Sequence, residues 1–307
     1  RLCFIHQVDY LIKTRVNQMK IAITGATGQL GHYVIQALLT KTDAQNIVAL
    51  VRDLNKAQHL KAQGVELRHF DYDQTETLAP ALEGIDKLLL ISANEIGRRT
   101  PQHQAVIQAA QQSKVPYIAY TSLLNADAST LGLSQEHRET EALIKNSGLT
   151  YTFLRNNWYT ENYLAGLSHA IESGTLYGAA NDGKISSASR IDYAEAAATV
   201  LVSDTHENRI YELAGSTAFT LQDFANTISE VSGQAVQYKN LTSEQYHQAL
   251  VQAGLPTGLV DVIVDADVQT QTGAMFSDSK DLEKLIGRKT TSIQEEITNT
   301  LNNSSTV

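Results

Sequence analysis

Cysteine is almost missing from this 307-residue chain: Cys3 stands alone, which excludes an intramolecular disulfide and any cysteine-built metal cluster. Basic charge is short as well. Lys and Arg number 24 against 33 Asp and Glu, a formal charge of −9, and so acidic a chain does not have nucleic acid as its main partner. Long apolar runs are absent too, with nothing near the ~18–20 residues that span a bilayer. These shortages point to a reducing, cytoplasmic setting with no membrane or metal partner. What is present is ordinary: 42% apolar and 19% charged residues, in a chain long enough for a large core in one domain or two. Residues 1–18 precede the first methionine, Met19, and lack the apolar stretch and cleavage site of a signal peptide. They read as an extension without function, poorly ordered.

The rest is organised around Lys20–Val34, KIAITGATGQLGHYV. Ile21 and Ile23 mark a short buried strand that stops at Gly25. From Gly28 onward Leu30, Val34, Ile35, Leu38 and Leu39 recur at helical spacing. A strand running into a helix through three glycines builds an anion site. Gly25 takes the tight turn, Gly28 removes a side chain that would block a phosphate, and Gly31 allows close packing of the helix. The helix then turns unpaired N–H groups and its positive end toward a pyrophosphate. Gly25, Ala26, Thr27, Gly28, Gln29 and Leu30 are thus the candidate cofactor-binding loop. A glycine triplet alone also fits an ordinary strand-to-helix turn; its position after a β-run and before an amphipathic helix favours the nucleotide.

Strand and helix patterns then alternate. Strands are expected at Asn46–Val51, Val65–Phe70, Asp86–Ile91, Val115–Tyr120 and Tyr151–Leu154, with a second helix opening at Asp53 or Asn55 and ending at Gly64. This rhythm predicts an α/β fold, a Rossmann-type doubly wound parallel sheet whose strand ends share one ligand-binding edge. Beyond Arg155 the rhythm loosens. Gly174–Gly183 reads as turn-rich, and helices follow at Tyr193–Val202, Leu221–Val231, Ser243–Ala253 and Leu259–Gln269. The expected division is an extension over 1–18, a cofactor-binding domain over 19–155, and a smaller α+β lobe over 156–307. Late strands of that lobe return to the sheet, and a cleft between the lobes takes the substrate.

Arg52 stands at the end of the second strand, where NAD-binding relatives of this fold carry an acid for the ribose hydroxyls. A guanidinium suits the 2′-phosphate of NADP(H), and Lys56 adds charge one turn on. Asp53 would oppose that phosphate if the strand ended one residue later; read as a helix cap it does not. Asp71 either accepts from the adenine amino group or forms a turn. Ser92 and Ala93, after the fourth strand, either line the nicotinamide half or serve as plain turn formers.

TGATGQLG, Arg52, LLLIS, YIAYTSLL, HRETE, LRNNWYTENYL and KLIGRKTTSI together resemble the NmrA-like atypical short-chain dehydrogenase/reductases, and most of all their bacterial quinone oxidoreductase branch, akin to triphenylmethane reductase. The resemblance runs from Met19 to the end. It implies NADPH as hydride donor and quinones as acceptors; a homodimer is a separate expectation that the resemblance does not carry. The Tyr-x-x-x-Lys pair of typical members is missing: counting back from Glu141 finds His137 and then Leu133. Quinone reduction tolerates that loss, because the acceptor is a strong electrophile and needs chiefly orientation and a hydrogen-bond donor for the developing oxyanion. His137, Asn156 and Asn157 are the candidates, with His137 and Asn157 taken as catalytic and both asparagines as cofactor contacts. The alternatives are a surface His137 meeting Glu141, and asparagines that cap the next helix. Trp158, Tyr159 and Tyr163 either sandwich a flat acceptor or pack the core. Arg190 and Asp192 read as a loop ion pair or a helix cap. The competing function is a non-catalytic NADP(H) sensor, or a reductase of other flat electrophiles such as dyes.

Overall fold

Residues 19–304 are described by the computed structural model; the expectation for residues 1–18 lies outside them. Strands β1 (Ile21–Ile23), β2 (Ile47–Val51), β3 (Glu66–His69), β4 (Lys87–Leu90), β5 (Tyr117–Leu123), β6 (Thr150–Asn156), β7 (Thr175–Gly178), β8 (Arg209–Leu213) and β9 (Gln237–Asn240) follow one another along the chain. Seven of them form one sheet in the order β3-β2-β1-β4-β5-β6-β8. The pairs β1–β2, β1–β4, β2–β3 and β4–β5 are parallel, with Ile21 opposite both Ile47 and Lys87. Chain order reverses direction at β1, as in a doubly wound sheet. Every residue of β1, β2 and β4 is buried. Strands covered on both faces read as unbroken apolar runs, which is why IAI, IVALV and LLLI were visible in the sequence.

The first helix, α1 (Gln29–Leu39), buries Leu30, Val34, Ile35 and Leu38 on one face. The second, α2 (Gln58–Ala62), starts later than expected. Asp53 does not cap it; its Oδ1 accepts from the Asn55 N–H at 2.9 Å and closes a local turn instead. That turn delays the helix while keeping the carboxylate occupied.

The described residues fall into two compact units. One comprises 19–122, 136–155 and 193–211, the other 123–135, 156–192 and 212–304. The first unit's core lies in and against the sheet, around Val48, Leu88, Ile118, Tyr120 and Phe153. The second has its own core around Leu131, Phe219, Phe224, Met275 and Ile297. It also holds a two-stranded parallel sheet, β7 with β9, in which Thr175 faces Gln237. The turn-rich reading of Gly174–Gly183 missed β7. β8 closes the β6 edge of the large sheet.

Candidate functional site

The loop after β1 is shaped by its glycines. Gly25 has φ +57°, in the left-handed region that favours glycine. A Cβ on Gly31 would overlap the Gly25 carbonyl oxygen and lie 2.9 Å from the Ala26 Cα, so only glycine lets the helix start against its own loop. Gly28 caps α1 through its backbone, with no side chain accepting from the first turn. That turn therefore keeps its N–H donors for another acceptor, as a pyrophosphate site requires. Thr24 fixes the loop to the next strand end, its Oγ1 accepting from the Ile91 N–H at 2.9 Å.

The carboxyl ends of β1 to β4 bring Gly25 to Leu30, Arg52, Asp71, Ser92 and Ala93 to one edge of the parallel sheet. Arg52 is exposed there and makes no ion pair among the described residues, so its guanidinium is open to an anion. Asp71 shows the turn-forming use: its Oδ1 accepts from the Asp73 N–H at 3.0 Å and its Oδ2 from Gln74 Nε2 at 3.2 Å. The Ser92 N–H donates to Thr121 Oγ1 at 2.8 Å. Ala93 is clamped on both sides, its N–H donating to His103 Nε2 at 2.9 Å and its carbonyl accepting from Arg99 Nε at 2.6 Å.

His137 belongs to that clamp and is not a surface residue. It lies in α5 (Ser134–Asn146), the next helix after α4 (Arg99–Gln112), itself preceded by the short α3 (Leu78–Ala81), and is 5% exposed. Arg99 Nη1 lies 3.3 Å from Nε2, and arginine can only donate. Nε2 is therefore the acceptor, and Nδ1 carries the hydrogen toward the Tyr120 hydroxyl at 2.8 Å. Burial, then the charge of Arg99, holds this imidazole well below its ordinary pKa and hence neutral. His103 is neutral for the same reasons, pushed down to about 3, and its Nδ1 meets Thr140 Oγ1 at 2.9 Å. Glu141 does not pair with His137. It binds Arg155 through two hydrogen bonds of 2.9 and 2.7 Å and accepts from Ser122 Oγ at 2.6 Å, all buried.

The two asparagines after Arg155 differ. Asn156, 5% exposed, ends β6 with an Oδ1 that has no hydrogen-bond partner among the described residues. Asn157 is fully committed: its Nδ2 donates to the Ser186 and Met275 carbonyls at 2.9 Å each, and its Oδ1 accepts from the Trp158 N–H at 2.8 Å. An orphaned buried acceptor fits a missing ligand group; a saturated amide fits a structural tie.

Of the three aromatics that follow, Tyr159 precedes the next helix and stacks under Arg190, 4.3 Å from its ring centroid. Trp158 and Tyr163 line a cavity of about 740 Å³ inside the second unit. Arg190 and Asp192 do not pair with each other. Arg190 reaches Glu161 at 3.5 Å, while Asp192 accepts from Arg288 at 2.7 Å and from the Thr291 N–H at 2.8 Å. The sequence reading passed over Arg99, Tyr120 and Asp267; an acid inside the apolar run VIVDADV was the one available signal for the last.

A glycine cradle at the end of β1 and an open guanidinium at the end of β2 define a dinucleotide-binding protein. A sequence model of the NAD(P)H-binding family matches residues 25–204, and the chain belongs to that NmrA-like family. Quinone oxidoreductase 2 of Escherichia coli K12 is 52% identical over 282 residues, 92% of this chain and 99% of that protein. The crystal structure of the E. coli NADPH-dependent quinone oxidoreductase complexed with NADPH superimposes with a TM-score of 0.90, covering 92% of this chain and 100% of that one. Triphenylmethane reductase of Citrobacter sp. complexed with NADP(H) gives 0.89 at 39% identity, over 92% of this chain and 99% of that one.

Proposed function

We infer that the protein is an NADPH-dependent quinone reductase. The observation that carries this is 52% identity to the E. coli enzyme across 92% of the chain, with the glycine cradle intact. NADPH supplies a hydride when bound, and the quinone that accepts it needs one proton more to become a hydroquinone. The chain's own residues bind and hold. In this reading the N–H groups at the start of α1 receive the pyrophosphate, with Gly25, Ala26, Thr27, Gly28, Gln29 and Leu30 forming its cradle. Arg52 receives the 2′-phosphate, which its free guanidinium and the occupied Asp53 support. Ser92 and Ala93 line the nicotinamide half, and the orphaned Oδ1 of Asn156 receives a donor from the cofactor. Asp71, used in its turn, shapes the edge without touching the adenine amine. Asn157 ties the Ser186 and Met275 backbone and His137 braces the Arg99 and Tyr120 side chains; with His137 neutral and both its nitrogens engaged, solvent water is the proton source.

The first unit is proposed as the cofactor-binding part and the second as the acceptor-binding part. A cytoplasmic setting belongs to the same reading, since NADPH and a lone cysteine suit a reducing compartment. So does self-association, for which the edge strand β8 with its half-exposed Ile210 is the natural surface. Among the described residues no helix is long and apolar enough to cross a membrane. The test is NADPH consumption with 1,4-benzoquinone or a naphthoquinone. Turnover well above the enzyme-free rate is expected, with NADPH preferred to NADH; bound cofactor without turnover would leave a sensor and end the enzyme reading.

A further inference from the structure

Side chains hold the backbone between β4 and α4 by its N–H groups. Thr121 Oγ1 takes the one on Ser92 at 2.8 Å, His103 Nε2 the one on Ala93 at 2.9 Å, and Glu136 Oε1 those on Gly97 and Arg99 at 3.2 and 3.1 Å. His103 is the deepest of these acceptors, 0% exposed on α4, its ring edge-on to Tyr120 with centroids 5.4 Å apart. Its hydrogen has one place to be. A peptide N–H can only donate, so Nε2 carries the lone pair and Nδ1 the hydrogen. That hydrogen goes to Thr140 Oγ1 at 2.9 Å, and Thr140 passes its own to the Glu136 carbonyl at 2.8 Å. The chain of donors thus runs one way, from Ala93 into the backbone of α5. Burial and the charge of Arg99 push the imidazole down to about 3, so mild acid does not remove the lone pair. A polar network this buried and this fully satisfied costs nothing in stranded groups and fixes one geometry.

We propose that His103 is a positioning residue for hydride transfer: its Nε2 fixes the Ala93 peptide, and with it the wall along which the nicotinamide half of the cofactor lies. This role rests on the quinone-reductase reading, in which Ser92 and Ala93 line that half. His103 touches neither cofactor nor acceptor. It acts by removing freedom: Arg99 Nε holds the Ala93 carbonyl at 2.6 Å while His103 holds the N–H, so the residue cannot turn on either side. Affinity comes from elsewhere, from the phosphate contacts at the start of α1 and at Arg52. Alignment of donor with acceptor is far steeper in distance than binding is, and a misplacement of about 1 Å costs about 100-fold in rate. Loss of the tether therefore falls on the transfer step and leaves affinity nearly alone.

Two amide substitutions separate the tether from simple packing. Glutamine reaches as far as an imidazole Nε2 and offers Oε1 to the Ala93 N–H; asparagine reaches only as far as Nδ1 and serves Thr140 alone. Single turnovers of bound NADPH with 1,4-benzoquinone should be about 100-fold slower in His103→Asn and within about fivefold of wild type in His103→Gln. Calorimetry should find the NADPH Kd within about threefold in all three proteins. In the cofactor-free proteins, hydrogen exchange at the Ala93 amide should quicken about tenfold or more in His103→Asn and stay near wild type in His103→Gln. Equal rates in the two variants, unchanged exchange at Ala93 in His103→Asn, or NADPH affinity lost in step with rate would each overturn the role. The wild type decides even if neither variant folds: its 15N imidazole spectrum should show His103 with hydrogen on Nδ1 and a bare Nε2, and the other tautomer or a doubly protonated ring would remove the tether. A wild type that binds NADPH and reduces no quinone would end the quinone reading and this role with it; quinone turnover with equal variants would end this role alone.

Discussion

Asp267, buried on the helix Thr257–Thr270, makes a prediction about stability. Burial raises its pKa from 3.8 to about 6, and the Ala179 hydrogen bond only partly offsets this. A carboxyl whose folded pKa is raised favours folding while it is protonated in both states. As pH climbs from about 4 to about 6 the unfolded chain ionises there and the folded one does not, so stability falls and then levels off. A shift of roughly two units at about 1.4 kcal/mol each makes the loss about 3 kcal/mol. Asp267→Asn removes the titration and keeps the shape. Urea melts of both proteins from about pH 3.5 to about pH 7.5 isolate the effect, because the other groups largely cancel in the difference. The variant should gain on the wild type by about 3 kcal/mol across that span, with the change complete near pH 7. A difference flat with pH, or one that moves toward the wild type as pH rises, would refute the reasoning.

Three further outcomes are expected. Arg52→Glu should weaken NADPH more than tenfold in calorimetry and spare NADH, since the charge it reverses meets only the extra phosphate; equal loss of both cofactors would contradict the assignment. The neighbouring asparagines should separate cleanly: Asn157→Ala should cost about 2–3 kcal/mol of unfolding free energy by removing its hydrogen bonds to the Ser186 and Met275 carbonyls and leaving the Trp158 N–H without its acceptor, whereas Asn156→Ala should leave the melt nearly unchanged and weaken NADPH binding. Glu141→Gln, breaking the buried pair with Arg155, should destabilise by about 3–5 kcal/mol, measured by the same urea melts, and Glu141→Leu combined with Arg155→Met should recover much of it.

The sequence reveals this fold wherever burial is two-sided. β1, β2 and β4 are covered above and below, so their apolar runs needed no partner information to be recognised. β9 escaped notice because Gln237, Tyr238, Lys239 and Asn240 are mostly exposed, and a strand made of polar residues carries no period to detect. α5 misled for the opposite reason. Its buried face is Ser134, His137, Thr140, Glu141 and Ile144, a mostly polar set that reads as solvent-facing and in fact turns inward, where its polar members meet Tyr120, His103 and Arg155. The glycine loop was legible because backbone geometry dictates residue type there. The tie made by Asn157 was not, since its acceptors lie up to 118 positions away.

The interleaving of the two units has a consequence for biosynthesis. The chain passes between them at 122/123, 135/136, 155/156, 192/193 and 211/212. Neither is therefore a stretch that a ribosome could release finished before starting the other. The large sheet lacks its outermost strand until Leu213 has left the exit tunnel, and the longest segment of the second unit, 212–304, is then still to come. Nascent chains stalled before that point should stay protease-sensitive throughout, and truncation at any single residue should yield no autonomous half.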